Sequence, residues 1–179
     1  MQKGAKGLIV YKGKYGATHQ YANWLGEQLG YPVTEAGSAD ARTLNKYDVI
    51  VMGGSVYVGK IMIGRWMKEY EDILRRKELF LFVVCGTPPA ESDKLAAMIS
   101  SNMSSSLREK VEPFFLHGRM ILSKLGWFDR FMLKMGARLE KDKTVSKRML
   151  EEFDDVKKEN LVPLLKAIRE KTNQHEMSA

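Results

Sequence analysis

A short segment combines glycines, cations and a hydroxyl in a spacing that suits phosphate binding. Its residues are Lys12, Gly13, Lys14, Tyr15, Gly16, Ala17 and Thr18. Glycines let successive backbone N–H groups face one point, and the positive end of a following helix adds to their attraction for an anion. The Walker ending and the three-glycine dinucleotide pattern are both absent. The segment predicts a mononucleotide phosphate site, with an ordinary glycine-rich turn as the alternative.

Two further segments have compositions that suit a flat, polar-edged ligand. The second segment contains Gly53, Gly54, Ser55, Val56, Tyr57, Val58, Gly59 and Lys60. Its small residues allow close approach, and Tyr57 is placed to lie against an aromatic ring unless it is simply a surface-packed tyrosine. The third segment contains Cys85, Gly86, Thr87, Pro88 and Pro89. Two prolines make this segment stiff, which suits either a second wall of the ligand site or a plain turn. Cys85 is interpreted as a buried strand residue rather than a catalytic thiol.

Apolar runs that alternate with helical patterns must position these segments. The predicted strands are 6–11, 32–36, 47–52, 79–85 and 112–117, and the predicted helices are 17–29, 63–76, a region ending near 110, 121–139 and 146–171, followed by a frayed tail at 172–179. Alternation of this kind requires parallel strands with helical crossovers. We therefore predict an α/β fold, a flavodoxin-like doubly wound five-stranded parallel sheet of order 2-1-3-4-5. Ligands bind such sheets beyond the carboxyl ends of the strands, where the three segments would converge.

A basic helical insertion is predicted at about 119–145, within one domain spanning 1–179. Between Arg119 and Arg148 there are nine basic and three acidic residues, a net charge of +6 out of the +7 of the whole chain. Apolar residues recur at helical spacing at positions 121, 125, 128, 132, 135 and 139. A basic amphipathic helix can lie on an anionic membrane or close over an acidic ligand. For the apolar stripe alone, packing against its own domain is the favoured interpretation.

Composition excludes several other classes of protein. One cysteine rules out a disulfide framework and a multi-cysteine zinc site, and three scattered histidines lack the spacing of metal ligands. No segment is apolar enough to span a membrane, and no secretory signal is recognisable, so a cytoplasmic location is expected. The sequence pI of about 9.4 favours a polyanionic partner, but no nucleic-acid-binding signature is present.

The three segments, in this order, resemble the FMN site of flavodoxins. The usual phosphate loop there is Thr-x-Thr-Gly-x-Thr, which Gly16 and Thr18 match, while Gly13 and Tyr15 replace hydroxyl residues and Lys14 is expected to compensate by charge. The run from Trp127 to Met135, after Gly118-Arg119, resembles a segment of the flavodoxin-type, menaquinone-dependent protoporphyrinogen IX dehydrogenases. This resemblance covers nearly the whole chain.

The resemblance implies FMN as cofactor and two-electron oxidation of a tetrapyrrole precursor, with electrons passed to a quinone. The flavin N5 atom would carry the chemistry, and no side chain is identified as the base. Arg119, Arg130 and Lys134 are the candidates for binding substrate carboxylates. The cationic balance also predicts a flavin that accepts electrons more readily than that of an acidic flavodoxin. The membrane contact would then lie at the inner face of the membrane.

Two other functions stay open at this point. A flavodoxin-like electron carrier would shuttle single electrons to a protein acceptor without turning over small substrates. An NAD(P)H-dependent quinone reductase would accept electrons from the nicotinamide, although no nicotinamide fingerprint is present. The oligomeric state is also left open by the sequence.

Overall fold

A computed structural model describes residues 6–86 and 91–178 of the chain. The strands are β1 (Gly7–Lys12), β2 (Val33–Glu35), β3 (Val49–Tyr57), β4 (Lys60–Ile61), β5 (Glu78–Cys85), β6 (Pro113–His117), β7 (Arg119–Met120) and β8 (Phe153–Asp154). The helices are α1 (Ala17–Leu29), α2 (Ala41–Leu44), α3 (Gly64–Glu69), α4 (Glu71–Leu74), α5 (Ser92–Asn102), α6 (Ser105–Arg108), α7 (Trp127–Leu139), α8 (Lys143–Arg148) and α9 (Val162–Ser178).

The main sheet has the order β2-β1-β3-β5-β6, and all of these strands run parallel. This confirms the predicted doubly wound α/β fold and its order 2-1-3-4-5. Successive side chains of a strand point to opposite faces, so the buried run of β1 serves two cores. Val10 faces a core formed with Trp66 of α3 and Ile99 of α5, whereas Ile9 faces a core formed with α1 and α9. Helices therefore cover both faces, as a buried parallel sheet requires.

The predicted loop at 53–60 is wrong, because β3 continues through both glycines to Tyr57. The strand then turns back through Val58 and Gly59 into the antiparallel β4. Gly53 lies opposite Phe82, and a Cβ there would stand 2.1 Å from the ring atom Cζ. These glycines make room for large neighbouring side chains inside the sheet, whereas the sequence pattern had indicated a loop.

The turn of this hairpin has an unusual backbone. Val58 has φ 47° and Gly59 has φ 71°, so both residues lie in the left-handed region, as in the tight turns that suit a hairpin twist. That conformation is natural for glycine but strained for a β-branched residue. Val58 is also 65% exposed, so the strain is not offset by burial of its side chain.

The predicted helix at 63–76 divides into α3 and α4 at Tyr70, whose φ of −106° and ψ of 18° leave the helical region. The interruption places Glu71 at the start of α4, where its carboxylate accepts a hydrogen bond from Ser104 at 2.8 Å. The predicted frayed tail is also wrong, because α9 continues to Ser178. None of the helices within the described ranges is long and apolar enough to cross a membrane.

The segment after β6 is more irregular than the two long helices predicted there. β7 pairs with β8, and between these strands lie a 3-10 turn at 122–124, α7 and α8. The helix predicted at 121–139 begins only at Trp127, after Gly126 in an extended conformation. The helix predicted at 146–171 is replaced by the end of α8, β8 and the start of α9. The β7–β8 pair brings the two ends of the segment together.

Candidate functional site

The carboxyl ends of β1, β3 and β5 lie side by side. Lys12 is paired with Gly54, and Ser55 is paired with Val84. The segment 12–18 and the β3–β4 hairpin therefore meet at one edge of the sheet, as the sequence predicts. Of the third segment, Cys85 is buried at the end of β5 and Gly86 is exposed, whereas Thr87, Pro88 and Pro89 lie outside the described residues.

The segment 12–18 forms a turn that leads directly into α1. Gly16 precedes the helix with φ 84°, and within the described part of the chain no side chain caps the N–H groups of the first turn. Thr18 is only 1% exposed, and its hydroxyl has no hydrogen-bond partner among the described residues. A buried hydroxyl without a partner is unfavourable by about 1–3 kcal/mol, so its presence indicates a ligand that completes it. The free helix terminus and this hydroxyl together fit a phosphate.

Glycine at position 13 has a steric reason. A Cβ there would stand 2.7 Å from Thr18 Oγ1 and 2.8 Å from Thr18 Cβ. Any larger residue would push against the Thr18 side chain. Lys12 is half-buried beside it and forms no ion pair within the described part of the chain. Lys12 is therefore the cation of this turn that is available to an anionic ligand.

Asp129 of α7 joins the turn at 12–18 to the β3–β4 hairpin. Its carboxylate forms an ion pair with Lys14 Nζ at 2.8 Å and accepts hydrogen bonds from the Tyr15 hydroxyl and, at 2.5 Å, from the Tyr57 hydroxyl. Lys14 Nζ also lies 3.9 Å from the centre of the Tyr57 ring, within the range of a cation–π interaction. We call Lys14, Tyr15, Tyr57 and Asp129 the clasp.

Contacts within the clasp shift the pKa values of Asp129, Tyr15 and Lys14. The Lys14 ammonium, with the two tyrosine hydroxyls, holds the pKa of Asp129 at about 2. Burial and the hydrogen bond to Asp129 raise the pKa of Tyr15 to about 12. The hydrogen bond to Asp129 also raises the pKa of Lys14. At neutral pH Asp129 is therefore an ionised carboxylate held by the Lys14 ammonium and the neutral Tyr15 phenol, and it is a poor proton acceptor.

The hairpin that carries Tyr57 is anchored on its other side by Asn102, at the end of α5. The Ile61 N–H donates to Asn102 Oδ1 at 3.0 Å, and Asn102 Nδ2 donates to the Gly59 carbonyl at 3.2 Å. Within the hairpin, Gly54 is buried, Val56 is half-buried, and the Ser55 hydroxyl donates to Met62 Sδ at 3.3 Å. Tyr57 is consequently fixed from two directions rather than lying in an open loop.

The three predicted substrate-binding cations have different surroundings. Arg119 donates to Gln20 Oε1 at 2.6 Å and to Asp154 Oδ1 at 3.2 Å, beside α1. Arg130 donates to the carbonyls of Leu122 and Ser123 and so holds the 3-10 turn that precedes α7. Lys134 is exposed and has no partner in the described part of the chain. Only Lys134 is thus free to meet a ligand without losing an internal contact.

Sequence reasoning assigned no role to Asp129 or to Asn102. Asp129 is the one acid within α7. Its place in the run from Trp127 to Met135 was the feature of the sequence from which its role could have been suspected. Nothing in the sequence marks Asn102, because its role depends on the position of the hairpin. Within residues 6–86 and 91–178, no cluster of three or more His, Cys, Asp or Glu side chains could hold a metal ion.

Comparisons with known proteins agree with this architecture. A family model described as a flavodoxin domain matches residues 8–147. A comparison with curated proteins gives no significant match. Solved structures similar to the chain include a WrbA-like flavodoxin from Agrobacterium tumefaciens, at 15% identity over 81% of this chain and 99% of that chain with a TM-score of 0.43.

A putative flavoprotein from Bacteroides eggerthii is 12% identical over 76% of this chain and 99% of that chain, with a TM-score of 0.44. A flavoprotein from Lactobacillus acidophilus, solved in complex with FMN, is 15% identical over 63% of this chain and 92% of that chain, with a TM-score of 0.42. These similarities are low, so the family assignment rests on the family model.

Proposed function

The chain belongs to the flavodoxin domain family, and on that premise we propose that it is an FMN-dependent oxidoreductase. FMN is the cofactor that membership of this family supports. FMN would supply the capacity to accept and release two electrons, and the protein would supply binding, orientation and electrostatics.

The residues at the sheet edge divide the binding of FMN between them. The N–H groups at the start of α1, the Thr18 hydroxyl and Lys12 would hold the phosphate. The hairpin with Ser55 and Tyr57 would flank the ring on one side, and Cys85 and Gly86 at the end of β5 would flank the other. The fit depends chiefly on Thr18, because its buried hydroxyl has no other partner among the described residues.

The clasp is the observation that supports an enzyme rather than an open electron carrier. A carrier needs an exposed cofactor edge that its protein partners can reach. Here α7 is fastened by Asp129 to both segments that would hold the cofactor. A helix in that position would cover the edge of the cofactor, as expected for a site that selects a small-molecule substrate.

For the substrate we propose protoporphyrinogen IX or a similar reduced tetrapyrrole, with a quinone as electron acceptor. Two features support it: the resemblance of the run from Trp127 to Met135, and the cationic character of the insertion. Lys134 is the candidate for pairing with a substrate carboxylate. Asp129 is a positioning residue, because its pKa of about 2 keeps it ionised and unsuited to accept a proton.

Anaerobic turnover tests this proposal. FMN-loaded protein is mixed with protoporphyrinogen IX and a menaquinone analogue, and porphyrin fluorescence is followed with and without the quinone. Porphyrin formation that needs both FMN and quinone is the expected result. The matched controls are protein freed of FMN and FMN alone, because reduced porphyrinogens also oxidise without an enzyme.

The other outcomes separate the alternatives. Bound FMN without porphyrin formation would contradict the tetrapyrrole substrate and leave an FMN protein of another redox class. Reduction of the flavin by NAD(P)H would then favour a quinone reductase, and reduction only by a protein donor would favour an electron carrier. Failure to bind FMN would contradict the proposal as a whole.

A further inference from the structure

Helix α7 carries its large apolar side chains on the outside. Trp127 is 82% exposed, Phe131 is 54% exposed and Leu139 is 76% exposed. Phe128, Met132 and Met135 are also among the exposed large hydrophobic residues, and all six lie on one side of the helix. The expectation that the apolar stripe packs on its own domain is therefore wrong for Phe128, Met132, Met135 and Leu139, whereas its other two members, Ile121 and Leu125, are half-buried.

The opposite side of α7 explains why the exposed face is not simply a poorly packed core. That side holds Asp129, Gly136 and Ala137, and Ala137 is only 3% exposed. A Cβ on Gly136 would stand 3.2 Å from Met149 Cε, so the inward side is closely packed with small residues. The helix is attached to the domain through the side that carries Asp129, Gly136 and Ala137, and its aromatic side faces outwards.

Cations border this exposed face. Arg130, Lys134 and Arg138 follow one another at spacing four along one edge, and Lys141 and Lys143 continue beyond the helix. Among the residues that the structure describes, Arg130 bonds only to backbone carbonyls, so its charge is not neutralised there. The segment 119–148 holds +6 of the +7 formal charge of the chain. An apolar arc with a cationic border is complementary to an anionic lipid surface.

We propose that α7 is a docking surface for an anionic phospholipid bilayer. The aromatic and methionine side chains enter the headgroup boundary, while the lysine and arginine stems reach out to the lipid phosphates. The helix lies in the interface and does not cross it, since its thirteen residues span only about 20 Å. This inference stands whether or not the proposed function is correct.

The docked orientation has a consequence for the cofactor edge. Asp129 lies in the first turn of α7 and holds Lys14, Tyr15 and Tyr57. A bilayer under the outer face of α7 therefore lies next to the same end of the sheet as the clasp. A lipid-soluble electron acceptor would then reach the site from the membrane, if the proposed function holds.

Vesicle binding by the full-length protein tests the surface without measuring activity. Co-sedimentation is measured with vesicles of phosphatidylcholine mixed with phosphatidylglycerol, and with phosphatidylcholine alone, at low and high salt. We expect binding to the mixed vesicles that weakens with salt. Brominated lipids should quench the fluorescence of Trp127, and the variant Trp127→Phe should lose most of that quenching.

Paired variants locate the surface. Trp127→Ala/Phe131→Ala and Arg138→Glu/Lys141→Glu should each weaken binding by about tenfold or more, since each basic residue near an anionic surface contributes substantially. The matched controls are Val162→Ala, which removes exposed apolar surface elsewhere, and Arg42→Glu/Lys46→Glu, which makes the same charge change near α2. Circular dichroism establishes that each variant is folded.

Three results would overturn the proposal. The first is no binding of the folded wild-type protein to the mixed vesicles. The second is binding that the charge pair weakens but that neither quenches Trp127 nor responds to Trp127→Ala/Phe131→Ala, which would mean adhesion without insertion. The third is a stable dimer that Trp127→Ala/Phe131→Ala dissociates, because a second copy would then cover this face.

Discussion

Lys14 and Asp129 are separated by 115 positions in the chain, yet Lys14 Nζ lies 2.8 Å from Asp129 Oδ2. One belongs to the turn after the first strand, and the other belongs to a helix inserted after the last strand of the main sheet. Because of this ion pair, α7 helps to hold the segment 12–18 of the candidate site in place. It also removes Lys14 from the set of free cations and leaves Lys12 in that role.

Replacing Asp129 by Asn should release α7. The variant keeps the shape of the side chain but loses the charge that Lys14, Tyr15 and Tyr57 share. We expect faster amide hydrogen exchange across residues 127–139 and a free energy of unfolding lower by about 1–2 kcal/mol. Asp155→Asn, which removes an exposed carboxylate, is the matched control. Unchanged exchange in α7 would show that the clasp does not hold the helix.

The contribution of the clasp to the free energy of unfolding should be lost at both acidic and strongly alkaline pH. Folding lowers the pKa of Asp129 from 3.8 to about 2, so its contribution is complete above pH 3.8 and is lost as the pH falls through 2. Folding raises the pKa of Tyr15 from 10.0 to about 12, so its contribution is complete below pH 10 and is lost as the pH rises through 12. Lys14 changes in the same direction as Tyr15.

Unfolding measurements on wild-type protein and Asp129→Asn across the pH range can check this. The difference between them should be constant between about pH 4 and pH 10 and should shrink on either side. A difference that keeps growing towards pH 2 would contradict the low pKa of Asp129.

Replacing Thr18 by Val should have opposite effects on stability and on cofactor binding. The methyl group fills the space of a hydroxyl that has no partner among the described residues, so the cofactor-free protein should gain about 1 kcal/mol of stability. Affinity for FMN should fall about tenfold, because the phosphate loses a donor. Thr172→Val, which alters a hydroxyl bonded within α9, is the control. Unchanged FMN affinity would remove Thr18 from the phosphate site.

Among the three predicted substrate cations, Lys134 should matter most for substrate binding. Lys134→Ala should raise KM about tenfold, equal to about 1.4 kcal/mol, without changing the free energy of unfolding. Arg119→Ala and Arg130→Ala should instead lower stability, because both arginines make internal hydrogen bonds. Lys46→Ala is the control for loss of an exposed charge. Steady-state kinetics and denaturant titration separate the two effects, and an unchanged KM in Lys134→Ala would contradict this assignment.

The midpoint potential of the flavin should lie above that of an acidic flavodoxin. The positive charge of Lys12 in the segment 12–18 favours the reduced, anionic cofactor over the oxidised one. Lys12→Gln should therefore shift the potential to more negative values, by on the order of 30 mV, or about 1.4 kcal/mol for a two-electron couple. Lys46→Gln should leave it unchanged. Spectroelectrochemical titration measures both, and a potential as low as that of acidic flavodoxins would contradict the prediction.

The strands of the main sheet could be predicted because buried parallel strands leave apolar runs such as the one around Ile9, and their order followed from the doubly wound class that five alternating strands indicate. The turn at 12–18 could be predicted because Gly16 supplies the left-handed conformation that the start of α1 requires locally, whereas its phosphate-binding role stays a prediction. The course of β3 could not, since Gly53 makes room for Phe82 of a neighbouring strand and Gly54 makes room for Ile61 and Ile63. The pairing of β7 with β8 could not be predicted either, because it joins residues far apart in the chain. Asp129 could not be assigned, because its partners come from two other elements.

The uneven placement of charge gives the molecule an electric dipole. Nearly all of the formal excess, +6 of +7, belongs to the segment that contains α7 and α8. In the field of any polyanion, such a molecule rotates before it collides and arrives with that segment leading. The fraction of productive encounters should then exceed that of a randomly tumbling molecule, and this advantage should disappear once salt screens charges beyond about 10 Å. The insertion thus sets how the protein approaches its target as well as what it touches on arrival.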